Sequence, residues 1–471
     1  MSKTIKIDPV TRIEGHARIL LDCDDSGAVN NASFCVNELR GFERILVGME
    51  ASSMPQVTAR ICGVCPTAHH LVAAKALDNA AGVEIPQAAK LLREFMYMGH
   101  FIHSHALSLF VLAGPDLVFG LDGNLATQNI VGMVEKEPDL SKKGLRLRSL
   151  GQKINETIGG RGIHPVTAVA GGISFSLSDG QFKRLQELTG EAVELVSELA
   201  GKTKTLLFNL LDKNPVLLEK LNSESWYLGT VQGGKLNVYD GELRAMDQNG
   251  LIQPEFNASA YKEMMSERAV HNSYAKEVYL NMAGGEQMYR VGPLARLNVA
   301  DTMETPIAQK EFEKFKENFG TPCHNAVLQM YAKLIELVYC CEKSNEIINN
   351  PALRGENRVP ADFKGGHGIA HIEAPRGTLI HEYDIDERGI VRAANMIIAT
   401  QQNTAAINHS LKEGANNLLQ ESGDEALLNG LEFVVRCYDP CLACSTHAIG
   451  KMELDVEITR QGRTIRRVRR K

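Results

Sequence analysis

The chain has 471 residues, 44% hydrophobic and 23% charged, with ten cysteines and a formal net charge of −6. That is enough apolar material for a large buried core, and the mild acidity gives no general attraction to nucleic acid or anionic lipid. No apolar run approaches the roughly 18–20 uncharged residues that span a bilayer, and the first ten residues carry no basic-then-apolar signal, so the cysteines read as reduced thiols and not as a disulfide framework.

In chain order, two alternating runs within 17–36 flank Asp24-Asp25-Ser26-Gly27, which predicts a hairpin. From residue 40 the pattern turns helical. Segments 43–51, 67–81, 88–113, 179–212, 304–319 and 324–348 place apolar residues at three- and four-residue steps, predicting long helices packed side by side as the core. Late in the chain, 369–374, 378–384 and 390–394 read as short strands punctuated by Pro375-Arg376-Gly377 and Glu387-Arg388-Gly389, with 431–437 as a further strand candidate. No repeat, low-complexity linker or composition break divides the chain, so one integrated domain is expected.

Two Cys-x-x-Cys pairs carry the chemistry. Cys62 and Cys65 stand near one end, Cys441 and Cys444 near the other, and His447 extends the second pair. A three-residue offset on a tight turn puts both sulfurs of a pair on one side of the backbone, where they grip a soft metal. Neither pair closes a tetrahedral site alone, and a structural zinc site usually keeps its pairs roughly 15–20 residues apart. The simplest arrangement is that the two ends meet around one centre. Two zinc half-sites, a redox dithiol or buried apolar cysteines are the alternatives.

Around the pairs stand Arg60-Ile61-Cys62-Gly63-Val64-Cys65-Pro66-Thr67-Ala68-His69 and Asp439-Pro440-Cys441-Leu442-Ala443-Cys444-Ser445-Thr446-His447, preceded by Arg12-Ile13-Glu14-Gly15-His16 and Arg40-Gly41-Phe42-Glu43. In this order, and spanning nearly the whole chain, these blocks resemble the signatures of the large, catalytic subunit of nickel-iron hydrogenases. The resemblance implies a mainly α fold, a long helical bundle core with small peripheral β-sheets. It implies a nickel-iron centre with carbon monoxide and cyanide on the iron, Cys62 and Cys441 as terminal thiolates on nickel, and Cys65 and Cys444 as bridges. Soft sulfur donors suit such a centre.

Residue by residue, Glu14 matches the glutamate beside a terminal cysteine that carries protons outward, and is expected to be buried with a raised pKa. Arg376, after Pro375, matches the arginine over the open coordination position, and with Glu14 and Cys441 makes up the catalytic set. Its acidic partner is expected to be Asp116 or Asp439. His69 resembles the histidine that hydrogen-bonds a bridging sulfur. Thr400, in Ala399-Thr400-Gln401-Gln402-Asn403, falls where relatives support a cyanide ligand; membrane-linked relatives read Pro-Thr-Thr-Trp-Asn there, and the departure fits the cytoplasmic branch. Glu43 and His447, with a carbonyl from 396–398, match the ligands of a magnesium or ferrous ion. His100, His103 and His105 read as packed polar groups or part of a proton path.

From 448 to 471 there are eight Lys or Arg against three acids. The resemblance makes 1–447 the catalytic domain and 448–471 an extension that a maturation endopeptidase removes; chemistry alone also allows a solvated basic arm, and the alternation over 452–458 permits a strand. Since the chain holds no further cysteine cluster for an electron relay, an iron-sulfur small subunit is implied. The methyl-viologen-reducing, F420-non-reducing type coupled through an electron-transfer subunit to heterodisulfide reductase is expected, with NAD(P)- or F420-reducing hydrogenases as alternatives. A metal-free subunit of complex I kind, linked to quinone, and a structural zinc protein are the rivals from other classes.

Overall fold

The computed structural model describes residues 3–26, 28–36, 41–121, 123, 126–270, 273–363, 365–418, 424–442, 454–460 and 463–470. At the centre lie the helices Pro66–Ala81, Gln87–Leu107, Pro138–Gly159, Asp179–Lys213 and Gln329–Ile348. Gln87–Leu107 packs between Pro138–Gly159 and Gln329–Ile348, and Asp179–Lys213 covers the last two. The long helix shows why: it buries Leu185, Leu188, Ala192, Val196, Leu199 and Leu207 on one stripe and starts at Ser178, whose hydroxyl accepts from Gln181 N–H in a reciprocal cap.

Expected helices 67–81, 179–212 and 304–319 appear as Pro66–Ala81, Asp179–Lys213 and Pro306–Phe319. Segment 43–51 is helical only over Phe42–Leu46, and 88–113 is α-helical to Leu107 and then widens into a π-turn over Ser108–Leu112. The 431–437 strand does not form. It lies inside the helix Asp424–Tyr438, which packs on helix Ala399–Leu418; a short apolar run buried on all sides has no periodicity to separate helix from strand.

Five small sheets among the described residues surround the helices, more than the helical pattern suggests. One runs Arg463–Arg470, Leu454–Arg460, Lys3–Ile7, Ala17–Cys23, Val29–Val36, all antiparallel, so the two ends of the chain pair directly, Ile5 opposite Ile458. The expected hairpin around 24–27 is the turn between its last two strands. A second, of Gly366–Ala374, Gly377–Ile385 and Val391–Ile397, lays its first strand on helix Pro66–Ala81. At Gly368 that contact is so close that a Cβ would stand 2.0 Å from the Ala76 carbonyl oxygen. No described helix is long and apolar enough to cross a membrane.

Candidate metal centre

A 3-10 turn, Ala59–Ile61, delivers the chain in extended form to Cys62, and Cys65 is the N-cap of helix Pro66–Ala81 with Pro66 at its first position. The Cys65 N–H donates to Cys62 Sγ at 3.1 Å. Sulfur at a helix N-terminus, facing unsatisfied N–H groups, is favoured as thiolate. From the other end, helix Asp424–Tyr438 stops at Asp439, whose φ of 51° turns the chain back. Cys441 then bridges to Glu14, with Leu442 N–H donating to the Glu14 carbonyl at 3.0 Å and Cys441 N–H donating to Thr400 Oγ1 at 2.9 Å.

The result is a convergence of sulfurs. Cys62 Sγ lies 3.1 Å and Cys65 Sγ 3.8 Å from Cys441 Sγ, and all three fall within 4.8 Å of one another. No other group of His, Cys, Asp and Glu among the described residues offers metal-ligand geometry. Cys444 and His447 lie outside the described residues. For Cys65, the hydrogen bond to Cys441 pulls the thiol down, but the bond to Cys62 and burial outweigh it and raise it well above the ordinary range. For Cys441 the bond to Cys62 pulls down, and the bond to Cys65 and burial win. Three sulfurs crowded together hold their protons until a soft cation replaces them.

The sulfurs open on a pocket of ≈ 70 Å³ lined by Val36, Phe42, Ile61, Leu379, Ile398 and Leu442 on its apolar side and by His69, Pro375, Arg376 and Thr400 on its polar side. Arg376 sits in the turn between strands Gly366–Ala374 and Gly377–Ile385. Its Nε donates to the Asp439 carbonyl at 2.7 Å, Nη2 to Asp439 Oδ1 at 3.1 Å and Nη1 to Ser104 Oγ at 3.3 Å. Burial alone would lower this guanidinium, but Asp439, Cys441, Cys65 and Cys62 overcome it and hold the cation charged. The turn itself is gripped from behind by the fully buried Arg296, which donates to the Ala374 and Pro375 carbonyls at 3.0 and 3.1 Å and pairs with Glu336 and Glu373.

Of the two expected acidic partners, Asp439 takes Arg376. Asp116 is instead occupied by Arg12, at 2.6 Å, and Arg436, at 2.8 Å, with Gln128 adding a third donor. Burial would raise its carboxyl, and the two guanidiniums outweigh that and lower it. Glu14 is buried, and neither carboxylate oxygen has a hydrogen-bond partner among the described residues. His69 Nδ1 lies 3.1 Å from His381 Nε2, and His381 Nδ1 lies 2.7 Å from the Tyr383 hydroxyl. Glu43 is half-buried on helix Phe42–Leu46, which packs on strand Val391–Ile397. The three histidines of helix Gln87–Leu107 join no metal group, and His105 Nε2 pairs with Glu336 at 2.9 Å.

Sequence reasoning missed Arg296, His381, Lys333 and Ser104. For Lys333 a signal existed: it and Glu336 are charges inside a run whose neighbours Leu334, Ile335, Leu337 and Val338 are all apolar, and such charges are buried only when paired.

With this geometry in view, the comparisons with known proteins define the class. Residues 40–128 and 214–447 match the family described as nickel-dependent hydrogenase, and residues 4–39 match a HoxL-like model of the N-terminal segment. The chain belongs to the nickel-dependent hydrogenase family and is an oxidoreductase acting on hydrogen. Among individual proteins it is similar to the vhc F420-non-reducing hydrogenase of Methanococcus voltae, 38% identical over 98% of this chain and 99% of that one. It is also similar to the NAD-reducing hydrogenase HoxS subunit beta of Cupriavidus necator, 35% identical over 97% of each. A crystal structure of an NAD+-reducing [NiFe]-hydrogenase in the H2-reduced state superposes with a TM-score of 0.88 at 34% identity, covering 94% of this chain and 99% of that one. The donor set fits the class: three converging soft sulfurs, a fixed cation over them and a buried carboxyl without a partner among the described residues.

Proposed function

We propose that this chain is the catalytic subunit of a cytoplasmic nickel-iron hydrogenase of the F420-non-reducing kind, interconverting H2 with two protons and two electrons. The observation that supports this most is the meeting of Cys62, Cys65 and Cys441 within 4.8 Å although residues 66–440 separate the two pairs. Cys62 and Cys441 would hold nickel as terminal ligands, and Cys65 with Cys444 would bridge to an iron carrying carbon monoxide and cyanide. When bound, that centre supplies the Lewis-acid and redox chemistry that splits H2 unequally.

The chain's own residues do the rest. Arg376 keeps a fixed positive charge at the pocket wall, where it orients hydrogen against the sulfurs. Pro375, whose carbonyl Arg296 holds, keeps that turn in place. Glu14 adjoins Cys441 in the chain pairing and accepts the proton released there; a buried carboxyl with no competing partner among the described residues is free to take and pass it. Thr400 holds the Cys441 backbone and supports a cyanide, His69 supports the Cys65 sulfur, Asp439 holds Arg376, and Asp116 joins Arg12 to Arg436 beneath the site. Glu43 and His447 would take magnesium or ferrous ion. Residues 1–447 form the catalytic unit and 448–471 an extension removed by a maturation endopeptidase, which would release the pairing of Leu454–Arg460 with Lys3–Ile7.

Electrons leave through an iron-sulfur small subunit, then in this kind through an electron-transfer subunit toward heterodisulfide reductase. The likeness to NAD-reducing enzymes carries one competing reading of the acceptor. Elemental analysis and infrared spectroscopy of the purified complex test the central claim: nickel and iron near one each, with carbon monoxide and cyanide bands, are expected, and both are lost with hydrogen uptake in Cys62→Ser or Cys441→Ser. Zinc alone, or no metal, would overturn it. Reduction of NAD+ by the native complex would decide for the competing acceptor.

A further inference from the structure

We propose that Lys333 is a positioning residue of the hydrogen-splitting site, holding the Asp439 carboxylate from behind so that Asp439 can fix the Arg376 guanidinium at the wall of the sulfur pocket. The inference rests on the hydrogenase reading of that pocket.

Lys333 lies on helix Gln329–Ile348 and is only 1% exposed. Its ammonium donates to Asp439 Oδ2 at 3.2 Å and to Ser108 Oγ at 2.6 Å. Asp439 therefore divides its oxygens: Oδ2 goes to the lysine, while Oδ1 and the main-chain carbonyl both go to Arg376. That two-point grip on Arg376 requires the backbone of Asp439 to stay at φ 51°, a conformation that costs a non-glycine residue energy, although aspartate tolerates it better than most. An anchor on the outer oxygen is what keeps the side chain from relaxing out of it.

Helix Gln87–Leu107 and the turn after it supply the floor. Ser104 accepts from Arg376 and Ser108 accepts from Lys333, and residues four apart share one helix face. Ser108 is also where the helix widens into the π-turn, a departure that proteins keep mostly where a side chain must be re-aimed. The unit is a closed buried chain of Ser104, Arg376, Asp439, Lys333 and Ser108.

Charge gives the unit a second effect. Arg376 and Asp439 alone would cancel; Lys333 leaves one excess positive charge in a dry site behind three sulfurs that become anionic on binding metal. Burial pulls the lysine below its usual range, with Asp439 opposing and Arg376 adding to the pull, so an ammonium here is retained only because Asp439 pairs with it. A mere staple between helices would not need a charge, since a methionine of similar volume packs as well.

The test compares Lys333→Met and Lys333→Arg in the complete metal-loaded complex with its small subunit. Lys333→Met should keep its nickel and iron, lose about 10- to 100-fold in kcat for hydrogen uptake with an artificial acceptor, and leave KM for hydrogen within about twofold. Its carbon monoxide band should move to lower wavenumber as the positive charge is lost. Lys333→Arg should restore kcat to within about threefold and return the band. Full kcat with unmoved bands in Lys333→Met overturns the proposal, as does a loss of activity that only follows lost metal. Should Lys333→Met fail to assemble, Ser108→Ala, which removes the lysine's other acceptor and keeps its charge, should lower kcat and shift the same band; no change in either overturns the proposal. A wild-type complex without nickel, iron or hydrogen activity would defeat the hydrogenase reading itself, whereas an active wild type with a fully active Lys333→Met defeats this inference alone.

Discussion

Glu14 shows how one side chain can combine burial with idleness. An unpaired buried carboxyl costs the fold several kcal/mol in principle, roughly 2–7 for an uncompensated polar group, and neither of its oxygens is satisfied among the described residues. Retaining it beside Cys441 makes sense if the proton it handles is the compensation. Glu14→Gln keeps the shape and removes the acid, so exchange between H2 and D2O should fall about 10²- to 10⁴-fold with metals still bound. Exchange at the wild-type rate would take Glu14 out of the proton route. Its identity was legible in the sequence from the Arg12-Ile13-Glu14-Gly15-His16 block; its lack of partners was not, because that depends on which groups the fold brings near.

At the scale of elements, the pocket is a product of close backbone approach. Helix Pro66–Ala81, which begins at Cys65, can touch strand Gly366–Ala374, which ends at the Arg376 turn, only because Gly368 has no side chain. Gly368→Ala puts a methyl against backbone, which cannot yield as a flexible side chain does, and should cost about 1–3 kcal/mol. A thermal unfolding midpoint unchanged from wild type would count against that packing account. Behind the same turn, Arg296 joins Glu336 on one helix to Glu373 on the strand. Arg296→Met leaves two buried carboxylates uncompensated and should destabilise by about 3–5 kcal/mol; denaturant unfolding of the variant measures it, and a change under about 1 kcal/mol would show that Lys or His neighbours take over. The strands and most core helices were legible from their two- and 3.6-residue periods. The helix Asp424–Tyr438 was not, since burial on every side erases the period.

For the molecule as a whole, buried imidazoles set an acid limit. His70, His103 and His371 are pushed down to about 4, about 4 and about 3, burial being the main cause in each. His70 is held neutral by two fixed bonds, its Nδ1 to the Pro55 carbonyl at 2.8 Å and its Nε2 accepting from Ala168 N–H at 3.0 Å. An unfolded histidine titrates near ~6.5, so below that pH the unfolded chain binds protons that the folded chain refuses. The stability these residues carry is therefore complete above ~6.5 and is lost as the pH falls toward 4, at about 1.4 kcal/mol per pH unit for each histidine. The unfolding midpoint should fall between pH 7 and pH 5, before most carboxylates titrate. A midpoint that is flat or rises over that interval would contradict the assignment.

The sequence by itself determined the chemistry: two sulfur pairs of ligand spacing, an acid and an arginine in recognisable blocks, and helices and hairpins whose periods are written in neighbouring residues. Only the tertiary structure decided which groups meet. It brought Cys441 to Cys62 and Cys65, gave Asp439 rather than Asp116 to Arg376, and put Lys333 behind that pair. The physical reason is range. Periodicity and capping act over a few residues and leave a local trace, whereas a contact across hundreds of residues is selected by how packed elements exclude water around it, and spacing along the chain carries no record of that.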